Sequence, residues 1–201
     1  HYVGSNFGLE AKVFPVKDVW HTLLPIRGFQ RGISLQSLGR NSLLPVRIIR
    51  SMLKIRSLMN EFLPQVVVGT GGYASALPLY MASKKNNPLP IILQEQNSYP
   101  GMTTRWFADK AKTICVAFND ANTHLESDTV LTGNPVRQGI ADGNPQRGFK
   151  EFKLAEDHKT IFLFGGSQGS AYLNKMMSQV VANIAGAGLQ ILWQTGDLEY
   201  I

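Results

Sequence analysis

Apolar positions along this chain fall into two kinds of run. Short continuous stretches are Val66-Val67-Val68, Pro90 to Leu93, Ile114 to Phe118, Thr129 to Leu131, Thr160 to Phe164 and Leu189 to Trp193. They have the length and the β-branched or aromatic content of strands. Between them lie segments with helical spacing, Tyr73 to Lys85, Met102 to Ala111 and Ser170 to Ile184. The strands are continuously apolar rather than alternating, which predicts sheets covered on both faces. Strand, helix and strand in repetition predict an α/β fold with parallel sheets and right-handed crossovers. A polar stretch, Gln138 to Arg147, reads as a linker, and the restart of the pattern behind it predicts a second α/β domain. The chain opens inside a strand at "HYVGS", without a methionine, and stops at "LEYI" just after one, as expected for part of a longer protein.

The clearest helical pattern is "NSLLPVRIIRSMLKIRSLMNEFLP". Ser42 is placed to cap it, Pro45 falls in its first turn and Pro64 ends it. At about 100° per residue, Leu44, Ile48, Met52, Ile55, Met59 and Phe62 form one stripe, the expected core face. Val46, Ile49 and Leu53 fall on the other side among Arg47, Arg50, Lys54 and Arg56. That mixture is open to two readings, a helix buried on two sides or one that meets an anionic bilayer surface.

Composition narrows the class. The chain has 201 residues, 44% of them apolar and 17% charged, which is globular rather than disordered. A formal charge of +6 and a pI of 9.5 suit an anionic partner without choosing among phosphorylated ligand, acidic membrane and nucleic acid. The single cysteine, Cys115, reads as a small apolar residue of the strand "TICVAF", and excludes an internal disulfide framework and a cysteine-rich zinc site. No run is long enough to span a bilayer and no signal peptide is evident, so the default location is the cytoplasm.

Candidate chemistry gathers behind the strands, where parallel sheets bind ligands. Two glycine-rich turns follow strands, "VVVGTGGYAS" with Gly69, Gly71 and Gly72, and "IFLFGGSQGS" with Gly165, Gly166 and Gly169. Each is either a tight turn or a place where backbone N–H groups meet an anion at a helix N-terminus, with Ser167 adding a hydroxyl. Neither fits G-x-G-x-x-G or the P-loop pattern. "LTGNPVR" places Arg137 after a turn, either at the surface or at a domain junction where it can pair with a phosphate. "IILQEQNSYPG" ends an apolar strand in Gln94, Glu95, Gln96 and Asn97. Glu95 is open to three readings: a base, an acceptor for sugar hydroxyls, or a charge at a helix N-terminus. His1, His21, His124 and His158 have no metal-site or triad spacing.

Taken together, "GTGGYAS", "LQEQNSYPG", "GNPVR" and "GGSQGSAYLN", in that order, resemble the MurG family of bacterial N-acetylglucosaminyltransferases, as do the opening "YVGSNFGLEAKVFP" and "PIRGFQR" at Pro25 to Arg31. The resemblance covers essentially the whole chain. It implies a GT-B fold of two Rossmann-like domains. Residues 1–136 would be the acceptor-binding, membrane-side domain without its first strand and glycine loop, and 137–201 the linker and the start of the donor-binding domain. The implied reaction is inverting transfer of N-acetylglucosamine from UDP-N-acetylglucosamine to lipid I, the undecaprenyl-diphosphate-linked muramyl-pentapeptide, forming lipid II. It would run at the cytoplasmic face of the bacterial plasma membrane by a peripheral enzyme, with no cofactor, no metal ion and no nucleic acid. By the same resemblance Asn97, Arg137 and Ser167 contact the donor, while Gly71, Gly72 and Tyr73 hold the acceptor diphosphate. The family usually has His-Glu-Gln-Asn where this chain has Gln94-Glu95-Gln96-Asn97, so Gln94 is a departure. Glu95 stays an active-site carboxylate, because the family's histidine base belongs to a loop outside this sequence; the chain alone is therefore expected to be inactive.

Three other readings compete. A UDP-N-acetylglucosamine 2-epimerase shares the GT-B architecture but needs no basic, apolar helix. A dinucleotide-dependent oxidoreductase would carry G-x-G-x-x-G with a downstream acid, absent here. A non-catalytic nucleotide-binding or membrane-docking module would bind without turnover.

Overall fold

The computed structural model describes residues 1–26, 42–84, 88–166 and 169–196. These form two compact units, His1–Pro135 and Val136–Ile201. In the first unit β1 (Tyr2–Ser5), α1 (Glu10–Val16), β2 (His21–Leu24) and α2 (Leu44–Phe62) precede β3 (Val67–Gly69), α3 (Gly72–Ser83), β4 (Ile91–Glu95), α4 (Met102–Phe107), β5 (Thr113–Val116) and β6 (Thr129–Leu131). The second unit contributes α5 (Pro145–Glu151), β7 (Thr160–Phe164), α6 (Ala171–Gly186) and β8 (Gln190–Gln194).

Every strand pair is parallel. β3, β4, β5 and β6 lie side by side in chain order, while β1 pairs with β2 and β7 with β8. The core of the first unit is the apolar content of these strands packed on helices. Ile91, Leu93, Ile114 and Val116 from the sheet meet Leu79 and Ala82 of α3, Ile55 and Met59 of α2, and Phe107 of α4. The β1 and β3 edges border an apolar cleft of about 610 Å³, lined among others by Val3, Val67, Ile55, Met59 and Pro78.

The long helix differs from its sequence reading at both ends. Its N-cap position is Leu43 rather than Ser42, and Phe62 of the expected core stripe is exposed at the cleft rim. The buried face is Ser51, Ile55 and Met59. At the C-cap, Leu63 adopts a left-handed conformation, φ 51° and ψ 58°, before Pro64. An L side chain there costs about 1–2 kcal/mol that glycine avoids. Leu63→Gly is therefore expected to raise the unfolding free energy by about 1 kcal/mol, because the leucine side chain is itself largely exposed. A urea titration with an unchanged or lower midpoint would count against this.

Two further expectations are corrected. The stretch read as a linker contains the start of α5. Pro145 sits in its first turn and Asn144 caps it, the side-chain oxygen accepting from the N–H groups of Gln146 (3.0 Å) and Arg147 (3.3 Å). The polar composition that suggested a loop is here a helix start. Among the described residues, coverage of both sheet faces is also not seen at β7. Phe162 and Phe164 stay 59% and 61% exposed and stack on each other at 4.9 Å, whereas Ile161 and Leu163 on the other face are half-buried.

Candidate active site

Behind the carboxyl ends of β3, β4 and β6 the chain makes a connected rim of amides. Gln94 donates from Nε2 to the Oδ1 of Asn134 at 3.2 Å, and Asn134 donates from Nδ2 to the carbonyl of Gln96 at 3.2 Å. Gln96 donates to the carbonyl of Thr70 at 3.1 Å and is also bonded to the side chain of Gln94. Three strand ends are thereby tied by neutral groups that both donate and accept. Thr103 adds a bond from α4, its hydroxyl donating to the carbonyl of Gly72 at 3.0 Å.

The first glycine turn lies against this rim. Gly71 is the N-cap of α3 with φ 84°, in the region where side chains are strained, and Gly72 follows with φ 75°. No side chain caps this helix start, so its N–H groups face outward with the positive end of the helix dipole. Tyr73 is exposed beside them.

Glu95, the last residue of β4, is 2% exposed. One carboxylate oxygen accepts from the Asn97 backbone N–H at 3.1 Å and from Asn97 Nδ2 at 2.9 Å. The other accepts from the Gly101 N–H at 2.9 Å and from the Thr104 hydroxyl at 2.6 Å. Burial alone would raise its pKa; the donors from Thr104, Gly101 and Asn97 together outweigh burial and hold the carboxyl below its ordinary value. A carboxyl depressed on folding adds stability above its unfolded pKa near 4.5, and loses it as the pH falls through the lower folded value. Urea midpoints are thus expected to fall below that pH, and Glu95→Gln to flatten the acid side of the curve. An acid side of equal slope in both proteins would contradict the assignment.

Asn97 is exposed at the same rim as Glu95, Gly71 and Gly72. Arg137 belongs to the second unit, exposed in the segment before α5, where its carbonyl accepts from the Ile140 N–H. Ser167 lies outside the described residues. In the flanking turn Gly166 accepts from Gln194 Nε2 at 2.7 Å, and Ser170 caps α6 through the Leu173 N–H. Val46, Ile49 and Leu53 are 48%, 58% and 62% exposed along α2. Arg50 and Lys54 are exposed beside them, and the half-buried Arg47 lies over the Phe7 ring at 5.7 Å. Sequence reasoning gave no role to Asn134, Thr103 or Thr104. The signal was faint: a second amide in "GNP" and two threonines in the first turn of a short helix. Among the described residues no helix is long and apolar enough to cross a membrane, and no metal-binding cluster is present.

The glycosyltransferase family 28 N-terminal domain matches residues 1–116. Over 99% of its length the chain is 37% identical to a Bacteroides thetaiotaomicron UDP-N-acetylglucosamine–N-acetylmuramyl-(pentapeptide) pyrophosphoryl-undecaprenol N-acetylglucosamine transferase, and 32% identical to the Bacillus subtilis protein of that name. It spans about half the length of these curated relatives, 53% in each case. The crystal structure of Acinetobacter baumannii MurG aligns over 98% of this chain and 56% of its own, with a TM-score of 0.55 and 21% identity. A glycosyltransferase from Rickettsia africae aligns over 98% and 60%, with a TM-score of 0.57 and 14% identity. The fold is that of the GT-B glycosyltransferases, and with more than half of its residues matched the chain belongs to glycosyltransferase family 28.

Proposed function

We propose that the protein transfers N-acetylglucosamine from UDP-N-acetylglucosamine to lipid I, as a peripheral enzyme at the cytoplasmic face of the plasma membrane. The observation that carries this reading is the amide rim at the strand ends beside the uncapped, glycine-opened N-terminus of α3. Amides serve sugar hydroxyls and phosphate oxygens alike, and a helix N-terminus favours a diphosphate. The relatives' names supply the identity of the sugar nucleotide and the lipid. In this reading Gly71, Gly72 and Tyr73 hold the acceptor diphosphate, and Asn97, Arg137 and Ser167 contact the donor. The exposed Val46, Ile49 and Leu53, with Arg47, Arg50 and Lys54, rest on anionic lipid. Gln94, where the family usually has histidine, puts an amide that does not titrate at that position of the rim.

The test is an assay of the full-length protein with labelled UDP-N-acetylglucosamine and a lipid I analogue. Label in the lipid product supports the reading. Conversion of the nucleotide sugar without lipid would instead indicate an epimerase, and binding without turnover a docking module. For Arg137, alanine is expected to lower kcat/KM for the donor by about 1.5–3 kcal/mol, the worth of a charge-assisted bond. Lysine should lose less, keeping the charge without the planar fork. Parent-like kinetics for the alanine variant would remove Arg137 from the donor site.

A further inference from the structure

We propose that Glu95 is a positioning residue: its buried carboxylate fixes the turn that presents Asn97, and takes no proton from the acceptor. The turn from Asn97 to Gly101 leaves β4 and enters α4; Tyr99 within it is held by Arg105, which donates to its hydroxyl at 3.1 Å, and by the His124 ring at 4.7 Å, and Pro100 is buried. Glu95 binds both of its ends, Asn97 through backbone and side chain on one oxygen, and Gly101 with Thr104 on the other. Holding Asn97 Nδ2 fixes the amide of an exposed residue and leaves its oxygen as the group available to accept. Each carboxylate oxygen already receives two donors, and the side chain is closed to solvent. A general base needs hydrogen-bond reach to the proton that it removes, and here that reach is taken up inside the turn. Glutamine cannot replace this arrangement. Whichever way its amide is turned, an NH₂ group opposes a backbone N–H, of Asn97 or of Gly101.

The meaning given to Asn97 rests on the sugar-nucleotide reading above, so the experiment separates the two. In the full-length protein, Glu95→Gln is expected to raise the KM for UDP-N-acetylglucosamine and to lower kcat/KM at least tenfold. The acid limb of the pH–rate profile should keep its position. Asn97→Ala, costly alone, should add less than a further twofold on the Glu95→Gln background. Thr104→Ser should behave as the parent, and Thr104→Val, which removes one donor and keeps the carboxylate, should shift KM in the same direction as Glu95→Gln. It also serves if the glutamine variant does not fold. Independently of turnover, the amide protons of Asn97 and Gly101 should exchange with solvent at least tenfold faster in the variant. Parent-like exchange would overturn the proposal. So would a fall in kcat with loss of the acid limb and full additivity with Asn97→Ala, which would make Glu95 the base. Absence of transfer by the parent would defeat the sugar-transfer reading, while the exchange rates still decide the positioning role.

Discussion

Gly169→Ala is expected to destabilise the second unit by about 2–5 kcal/mol, the sum of a left-handed backbone penalty and an overpacking penalty. Gly169 has φ 75°, and a Cβ built there would stand 1.9 Å from the carbonyl oxygen of Thr195. That oxygen belongs to rigid backbone and also accepts from Asn174 Nδ2 at 2.8 Å. Asn174 in turn accepts from the Trp193 indole at 3.0 Å, so the contact sits at a junction of the turn, α6 and the end of β8. Relief by movement would break these bonds. Amide exchange along β7 and β8 reads the effect directly: protection of Phe162 and Leu192 should fall, while that of Leu93 and Ile114 in the first unit holds. Equal protection in parent and variant would show that the turn yields at little cost.

Replacing Arg47, Arg50 and Lys54 together by glutamine is expected to weaken binding to anionic vesicles about a hundredfold. Each basic residue near such a surface is worth about 1 kcal/mol, and about 1.4 kcal/mol is a factor of ten. The parent's binding should weaken with added salt, because screening acts on the charged part alone. Val46, Ile49 and Leu53 would supply the remainder, insensitive to salt. Co-sedimentation with anionic and neutral vesicles, at low and high salt, measures both parts. Equal binding to the two vesicle types, unaffected by salt, would refute a membrane role for this face of α2. Arg47 packs on Phe7 and Lys54 donates to the Leu23 carbonyl at 3.3 Å, so thermal denaturation of the triple variant should accompany the assay.

Much of the fold was legible. The runs from Thr129 to Leu131 and from Thr160 to Phe164 are the strands observed, and the other runs fall within a residue or two of theirs. Parallel strands buried between helices must be continuously apolar, and that signal survives in any environment. Short helices are less visible. The start of α5, whose cap and proline hide in a polar stretch, was read as linker because seven residues hold too few apolar positions to show a period. The motif positions at the carboxyl end of β4 were visible, since an apolar run that stops at four polar residues must end at solvent or at a ligand.

By itself the sequence determined the α/β class, the parallel sheets and the place on the chain where polar chemistry begins, because periodicity and the run of polar residues are local properties. Only the tertiary structure decided what the Glu95 carboxylate binds. The sequence left three readings of that carboxylate open and gave no sign of Thr104, nine positions away, turning back to donate to it. The same holds for the second glycine turn. Its glycines read equally as an anion loop or a tight turn, and nothing in the sequence announced the close approach of Thr195, 26 positions beyond Gly169. Distances between residues far apart in the chain are set by packing, and no local pattern records them.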